Sequence, residues 1–456
     1  MITATQAPEK YSEIFDQFSA RSVAQPHWLQ ALRKEAFARF AETGFPTTRD
    51  EDWRFTNTSA VSNTSFELAG IDRISQEQLK PLGVSGFANL LVFVNGLFSE
   101  ELSALGALPK GVKVASLAKQ LANDSASVER YLGKYLNLQR DAFCALNTAF
   151  IEDGIFVHVS SGVVVENPIY VLYVTVPGST PQMNHPRTLI VAEPNSQVTV
   201  VEDYVSLGNG VTFSNSATEL IAGENAHVQH YMIVREGEGA NNFSTLRIQQ
   251  GRSANVATHS LLLGGSLIRN NVHPVLAGEG SECLINGLFM ANGHQHMDNY
   301  MLVEHASPHC DSRQFYNGIL NGNSHGVFHG RIIVHKDAQK TDAKQTNRNL
   351  LLSDDAQIDT KPQLEIYADD VKCTHGATIG QFDDNALFYL RSRGLPEASA
   401  RHLLLLAFAN ECLDRMHSTQ VRDHIEKLVV NSLPGAARFI GERSLQGAER
   451  NLEEVG

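Results

Sequence analysis

The sequence predicts a mainly β protein with flanking α segments: a parallel β-helix core set between helical N-terminal and C-terminal domains. Three observations carry this. From about Ile155 to Ile379, short runs rich in Val, Ile, Leu, Tyr and Thr alternate with Gly, Asn, Asp and Ser, and helical periodicity vanishes. That stretch is too long for one simple sandwich. Helical spacing returns only before it and after it.

Taken in order, the first region, 1–145, opens with Leu29, Leu32, Ala36, Phe37 and Phe40 on one helical face, stopped by Gly44 and Pro46. Leu90 to Val94 then reads as a strand ending in an Asn95-Gly96 turn, where a left-handed backbone comes easily. Region 146–382 holds segments such as Ile155–Val159, Ile169–Val176, Thr188–Ala192 and Val256–Leu263. A coiled solenoid accommodates such an array, because each strand needs only the coils above and below it. No strict hexapeptide repeat is visible, so a layered sandwich or cupin-like jelly roll fits the pattern as well. In region 383–456, Asp383 or Asp384 caps a helix containing Leu387, and Gly394 ends it. Pro396 opens a second helix, and Val421, Ile425, Leu428 and Val429 stripe a third. These helices are expected as a compact appendage beyond the strand array, followed by a loose polar tail after Glu442.

Composition removes several function classes. The 456 residues carry a formal net charge of -13, which repels a phosphate backbone, and no basic stripe interleaved with aromatics occurs. Nucleic acid is therefore not an expected partner. Met1 to Tyr11 lacks a basic segment followed by an apolar run, and no uninterrupted apolar stretch of membrane-spanning length follows. A cytoplasmic location without membrane contact is the expectation. The five cysteines, Cys144, Cys283, Cys310, Cys373 and Cys412, are widely spaced and read as reduced thiols.

Motifs for independent catalysis are missing. There is no phosphate-binding loop, neither Gly237-Glu238-Gly239 nor Gly278-Glu279-Gly280 completes a dinucleotide fingerprint, and no nucleophile elbow is present. No nucleotide is expected on this chain, and any nucleotide hydrolysis would come from a partner. Histidines cluster at His294 and His296, at His305, His309 and Cys310, and at His325, His329 and His335. On a strand, His294 and His296 would share a face and could hold a metal; solvent-facing histidines on solenoid strands are the plainer reading. Cys373 and His375, in Val371-Lys372-Cys373-Thr374-His375-Gly376, would likewise share a face with their roots about 7 Å apart. That sulfur and nitrogen pair suits iron or zinc, while the plainer reading packs Cys373 as a small hydrophobe. Asp369-Asp370 reads as turn, and Cys144, Cys283 and Cys412 as packing residues.

Three ordered motifs resemble a known family. Asn347 to Ile366 contains Leu350-Leu351-Leu352-Ser353-Asp354, then come Asp369-Asp370-Val371-Lys372-Cys373-Thr374-His375-Gly376-Ala377-Thr378 and Leu387-Phe388-Tyr389-Leu390-Arg391-Ser392-Arg393-Gly394. Together they are similar to the C-terminal core signature of the SufB/SufD family of iron–sulfur cluster assembly proteins. Leu146 to Phe150, Phe93 to Gly96 and Asp52 to Thr56 extend the likeness upstream. The Cys-Thr-His-Gly form resembles the SufD side, and Ser353 stands where SufB-like members carry a cysteine.

The resemblance implies a right-handed parallel β-helix and a non-catalytic scaffold role. It implies a heterodimer with a SufB-like paralogue, two copies of a SufC-like ABC-type ATPase docked on the C-terminal helices, and a homodimer when the chain is alone. Cys373 and His375 would be the metal and cluster ligands this chain lends to a transient iron or iron–sulfur site at the paralogue interface. Leu387, Phe388, Tyr389 and Pro396 would be candidates for ATPase contact, some of them intramolecular core. A SufB-like primary scaffold and a carbohydrate-active β-helix enzyme are the alternatives.

Overall fold

A computed structural model describes residues 6–21 and 25–434; the tail after Glu442 lies outside the described residues. The N-terminal part runs α1 (Gln6–Arg21), α2 (His27–Thr43), α3 (Ser59–Ser62), β1 (Glu67–Leu68), α4 (Gln76–Leu79), β2 (Asn89–Val94), β3 (Leu97–Leu105), β4 (Val112–Ser116), α5 (Leu117–Asn123), α6 (Ser125–Glu129) and α7 (Ala142–Ala149). Strands follow without helical interruption: β5 (Gly154–Val159), β6 (Ile169–Thr175), β7 (Gln182–Asn184), β8 (Arg187–Ala192), β9 (Gln197–Ser206), β10 (Thr212–Ala222), β11 (His227–Arg235), β12 (Ala240–Gln250) and β13 (Asn255–Leu262). They continue as β14 (Leu267–Leu276), β15 (Glu282–Ala291), β16 (His296–His305), β17 (Asp311–Leu320), β18 (His325–Val334), β19 (Asp342–Leu351), β20 (Gln357–Ile366) and β21 (Lys372–Gly380). Helices α8 (Asp384–Ser392), α9 (Glu397–Leu413) and α10 (Thr419–Ser432) close the described chain.

From β8 onward, consecutive strands alternate between two sheets, and every second strand pairs in parallel, giving a β-solenoid of about 8 turns. Sheet I runs β20-β18-β16-β14-β12-β10-β8-β5-β4, and sheet II runs β21-β19-β17-β15-β13-β11-β9-β6-β2-β3. The predicted solenoid is thus the fold, and the sandwich and jelly-roll alternatives fall away because the ladders are parallel. Strand β2, followed by the turn residues Asn95 (φ 52) and Gly96 (φ 84), joins sheet II through β6.

The repeat is set by one turn per coil. Asn195, Asn225, Ser253, Gly280, His309 and Lys340 all adopt left-handed backbone, with φ between 52 and 70°. The amide N–H of each donates to a carbonyl one coil on, from Asn195 to Glu224 (2.8 Å) through to Lys340 and Asp370 (2.6 Å). A small residue follows each of them, Ser196, Ala226, Ala254, Ser281, Cys310 and Thr341, and all six are buried. These turns lie 30, 28, 27, 29 and 31 positions apart, so the repeat is real but elastic. Asn and Gly tolerate this conformation most easily; His309 and Lys340 are held in it by the stacked hydrogen bonds.

Strand alternation then sorts the side chains. Inward positions form columns such as Val198–Val228–Val256–Cys283–Ser312–Ala343–Cys373, filling the space between the sheets. Outward positions are covered by helices from both ends of the chain. Phe143 and Phe150 of the N-terminal part pack with Phe213, Phe243 and Met183 of sheet I. On sheet II, Leu405, Cys412, Val421, Ile425 and Val429 of α9 and α10 pack over Tyr170, Tyr231, Leu261, Leu288 and Ile319. The expected appendage beyond the last coil is therefore corrected: the apolar stripes send the chain back along the solenoid. The α10 residue His424 reaches Tyr170, their Nε2 and hydroxyl 3.1 Å apart, on the first coils. No described helix is long and apolar enough to cross a membrane.

Candidate functional site

The two ends of the solenoid differ. At the N-terminal end each sheet finishes with an antiparallel strand, β4 on sheet I and β3 on sheet II. At the other end β20 and β21 pair on one side only, leaving two parallel strand edges without a neighbour among the described residues. Large apolar side chains gather here: Tyr367 is 62% exposed and Ile379 52%. Open strand edges flanked by exposed apolar groups are templates for another chain.

Cys373 and His375 stand on β21, two residues apart. Both occupy inward columns whose earlier members are buried: Ala343 precedes Cys373, and Gln345 precedes His375. Cys373 is half-buried and packs against the solenoid interior, so the small-hydrophobe reading describes its stem. Its thiol is pushed up by burial, and the Asp342 carboxylate adds to this. His375 is exposed, and no further coil among the described residues covers it. Among the described residues no three His, Cys, Asp or Glu side chains are grouped to hold a metal ion. Cys373 and His375 offer one soft and one borderline donor, and a tetrahedral site around them would take its other donors from a second chain.

The other sequence candidates separate. His294 lies in a turn and His296 begins β16, so they do not share a strand. The histidines of this region are mostly not solvent-facing either. His296 Nε2 is 2.9 Å from Thr56 Oγ1, its ring lies edge-on to His325, and His325 Nε2 is 2.8 Å from Asp359. His305 is buried with Nε2 2.8 Å from Ser312 Oγ, His309 is a turn residue, and Cys310 fills the small-residue position of that turn. Those three therefore do not converge. Ser353 donates to the Gly322 carbonyl at 2.7 Å in the turn after β19. Cys144, Cys283 and Cys412 are buried, as their apolar surroundings suggest, and burial pushes the Cys412 thiol up to about 12.

Just beyond β21, Asp383 caps α8 by accepting from the Asn385 amide at 2.9 Å, fixing the direction of the helix. Within α8, Leu387 is buried, whereas Phe388 is 73% and Tyr389 56% exposed. Pro396, also exposed, is the N-cap residue of α9. Sequence periodicity could not assign these faces, because the partner surface for α8 is short.

Sequence reading missed how α9 is anchored. Asn286 on β15 donates to the Cys412 carbonyl at 2.9 Å, and Asn317 on β17 donates to the Phe408 carbonyl at 2.9 Å. Arg348 on β19 pairs with Glu411. The outward Asn residues in otherwise apolar strands were the available signal, since a buried amide requires a partner.

Comparison with known proteins adds to this geometry. Residues 174–408 match the family model described as SUF system FeS cluster assembly, SufBD core domain, and residues 5–171 match the SufBD protein N-terminal region. The chain is 34% identical over 393 residues to an iron–sulfur cluster assembly SufBD family protein of Synechocystis, covering 84% of this chain and 86% of that one. It is 33% identical over 418 residues to the iron–sulfur cluster assembly protein SufD of Escherichia coli, covering 91% and 93%. To SufD of Bacillus subtilis it is 26% identical over 413 residues, covering 89% and 94%.

Proposed function

The chain belongs to the SufB/SufD family of the SUF iron–sulfur cluster assembly system, and from that premise we propose that it is the SufD-type scaffold subunit of a SufBCD complex. The observation that carries the finer reading is the open end of the solenoid, where the pair Cys373 and His375 meets two strand edges that are unpaired among the described residues. A SufB-like paralogue, built of the same coils, adds its own strands to β20 and β21 and covers Tyr367 and Ile379. Alone, the chain uses the same edges to form a homodimer.

In this reading iron or a nascent cluster is cargo. His375 supplies an imidazole nitrogen, Cys373 a sulfur, and the paralogue the remaining donors. Burial and Asp342 keep the Cys373 thiol protonated in the free chain, and an incoming cation reverses that preference by stabilising the thiolate. The chain itself is no enzyme. ATP hydrolysis belongs to a SufC-like partner, which meets Phe388, Tyr389 and Pro396 on the exposed side of α8 and α9, with Leu387 as the buried anchor. The whole complex works in the cytosol. Closure of two such ATPases moves α9, and the Asn286 and Asn317 contacts pass that displacement to sheet II.

The test is co-expression of His375→Ala with the paralogue and the ATPase, recovered anaerobically. The complex is expected to assemble at normal stoichiometry and to carry several-fold less iron and acid-labile sulfide. Wild-type loading in the variant would sink the assignment. In parallel, Phe388→Ser with Tyr389→Ser is expected to lose the ATPase from the recovered complex while keeping the paralogue. Retention of the ATPase would remove the docking assignment alone.

A further inference from the structure

Away from the open end, a cleft of about 720 Å³ lies between the outward face of sheet I and the N-terminal segments 43–53 and 136–144. It has the size of a small-molecule site. Five carboxylates line it, and each has a partner within the chain, Asp52 in the Tyr300 hydroxyl and Glu304 in His273. Asp141 accepts from the Phe143 and Cys144 amides at 2.9 and 3.0 Å, capping α7, and Glu51 pairs with Lys361 at 2.8 Å. Asp50 accepts from the Thr47 amide at 2.7 Å. Two of its cations are neutralised as well: Arg269 pairs with Asp298, and Arg331 pairs with Glu365 at 2.7 Å.

Arg247 is different. Among the described residues it forms no ion pair with a carboxylate, and its Nε is buried without a hydrogen-bond partner. Its Nη1 lies against both ring nitrogens of His273, 2.6 Å from Nε2, which is itself 2.8 Å from Glu304 Oε1. The imidazole thus stands between Glu304 and the guanidinium. Burial lowers the basicity of this guanidinium, and the charges of Glu304 and Glu219 offset that only in part. Arg140 lines the same cleft, is exposed, and has no ion pair among the described residues.

A half-buried guanidinium with an unused donor is costly unless an anion completes it. We propose that this cleft binds a small molecule bearing a carboxylate or phosphate group, held by Arg247 inside and Arg140 beside it. The inference is independent of the cluster-assembly reading, since neither residue lies near β21.

The test is calorimetric titration of the full chain at low salt with two probes, citrate and inorganic phosphate. One probe is expected to bind saturably at a single site, and which of them binds tells carboxylate from phosphate recognition. Arg247→Gln is expected to weaken binding at least tenfold, and Arg140→Gln severalfold, with far-ultraviolet dichroism unchanged. Failure of both probes to saturate by about 10 mM, or wild-type affinity in both variants, would overturn the proposal. If Arg247→Gln does not fold, the exposed Arg140→Gln decides, and unchanged affinity there overturns it.

Discussion

His185 and His259 are each enclosed in the fold, and burial depresses both to about 3. Each ring lies beside an asparagine amide: Asn215 Nδ2 is 3.2 Å from Nδ1 of His185, and Asn286 Nδ2 is 2.9 Å from Nδ1 of His259. An amide can donate only to an unprotonated nitrogen, so acid removes both contacts. The unfolded chain takes up a proton at each site below about pH 6.5 while the native chain does not, so stability falls as pH drops from there toward 3. Once well below 6.5, each ring costs about 1.4 kcal/mol per pH unit. Urea midpoints at pH 7, 5.5 and 4.5 are expected to fall steadily. The decline should be shallower in His185→Gln, which has no proton to gain; an unchanged slope in that variant would count against this source.

At the scale of elements, α9 is tied to sheet II by side chains from the middle of the solenoid. Asn317→Ala removes the donor to the Phe408 carbonyl, which keeps only its bond within the helix, a loss of about 0.5–1.5 kcal/mol. Limited proteolysis should then cut within 384–432 several times faster, with the solenoid intact. Equal rates would mean that α9 is held by its apolar stripe alone. The strands themselves were legible, because runs such as Ile169–Thr175 and Gln197–Ser206 carry β-branched residues between turn formers. Their period was not. The left-handed position of the turn is filled by Asn195, Asn225, Ser253, Gly280, His309 and Lys340, five residue types at unequal spacing, so side-chain identity conceals what backbone hydrogen bonding repeats. The constant signal was the small buried residue that follows each. Of the candidate site, the Cys373 and His375 pairing was readable from alternation. Their place at the last coil was not, because only the stacking order says which coil has no successor.

For the whole molecule, parallel coils make neighbours in space about thirty positions apart in sequence, and among the described residues each coil is supported from both sides except the last. Helices from the two chain ends cover opposite faces, so the early and middle coils are clamped from outside as well. Amide hydrogen exchange should accordingly be slowest in β9 to β17 and fastest, among strands, in β20 and β21. Uniform protection along the stack would contradict this order. Such a rod frays from one tip only. The residues proposed to receive the cargo therefore sit where opening costs least, and a chain that covers that tip would act as a lock on the local unfolding of the site itself.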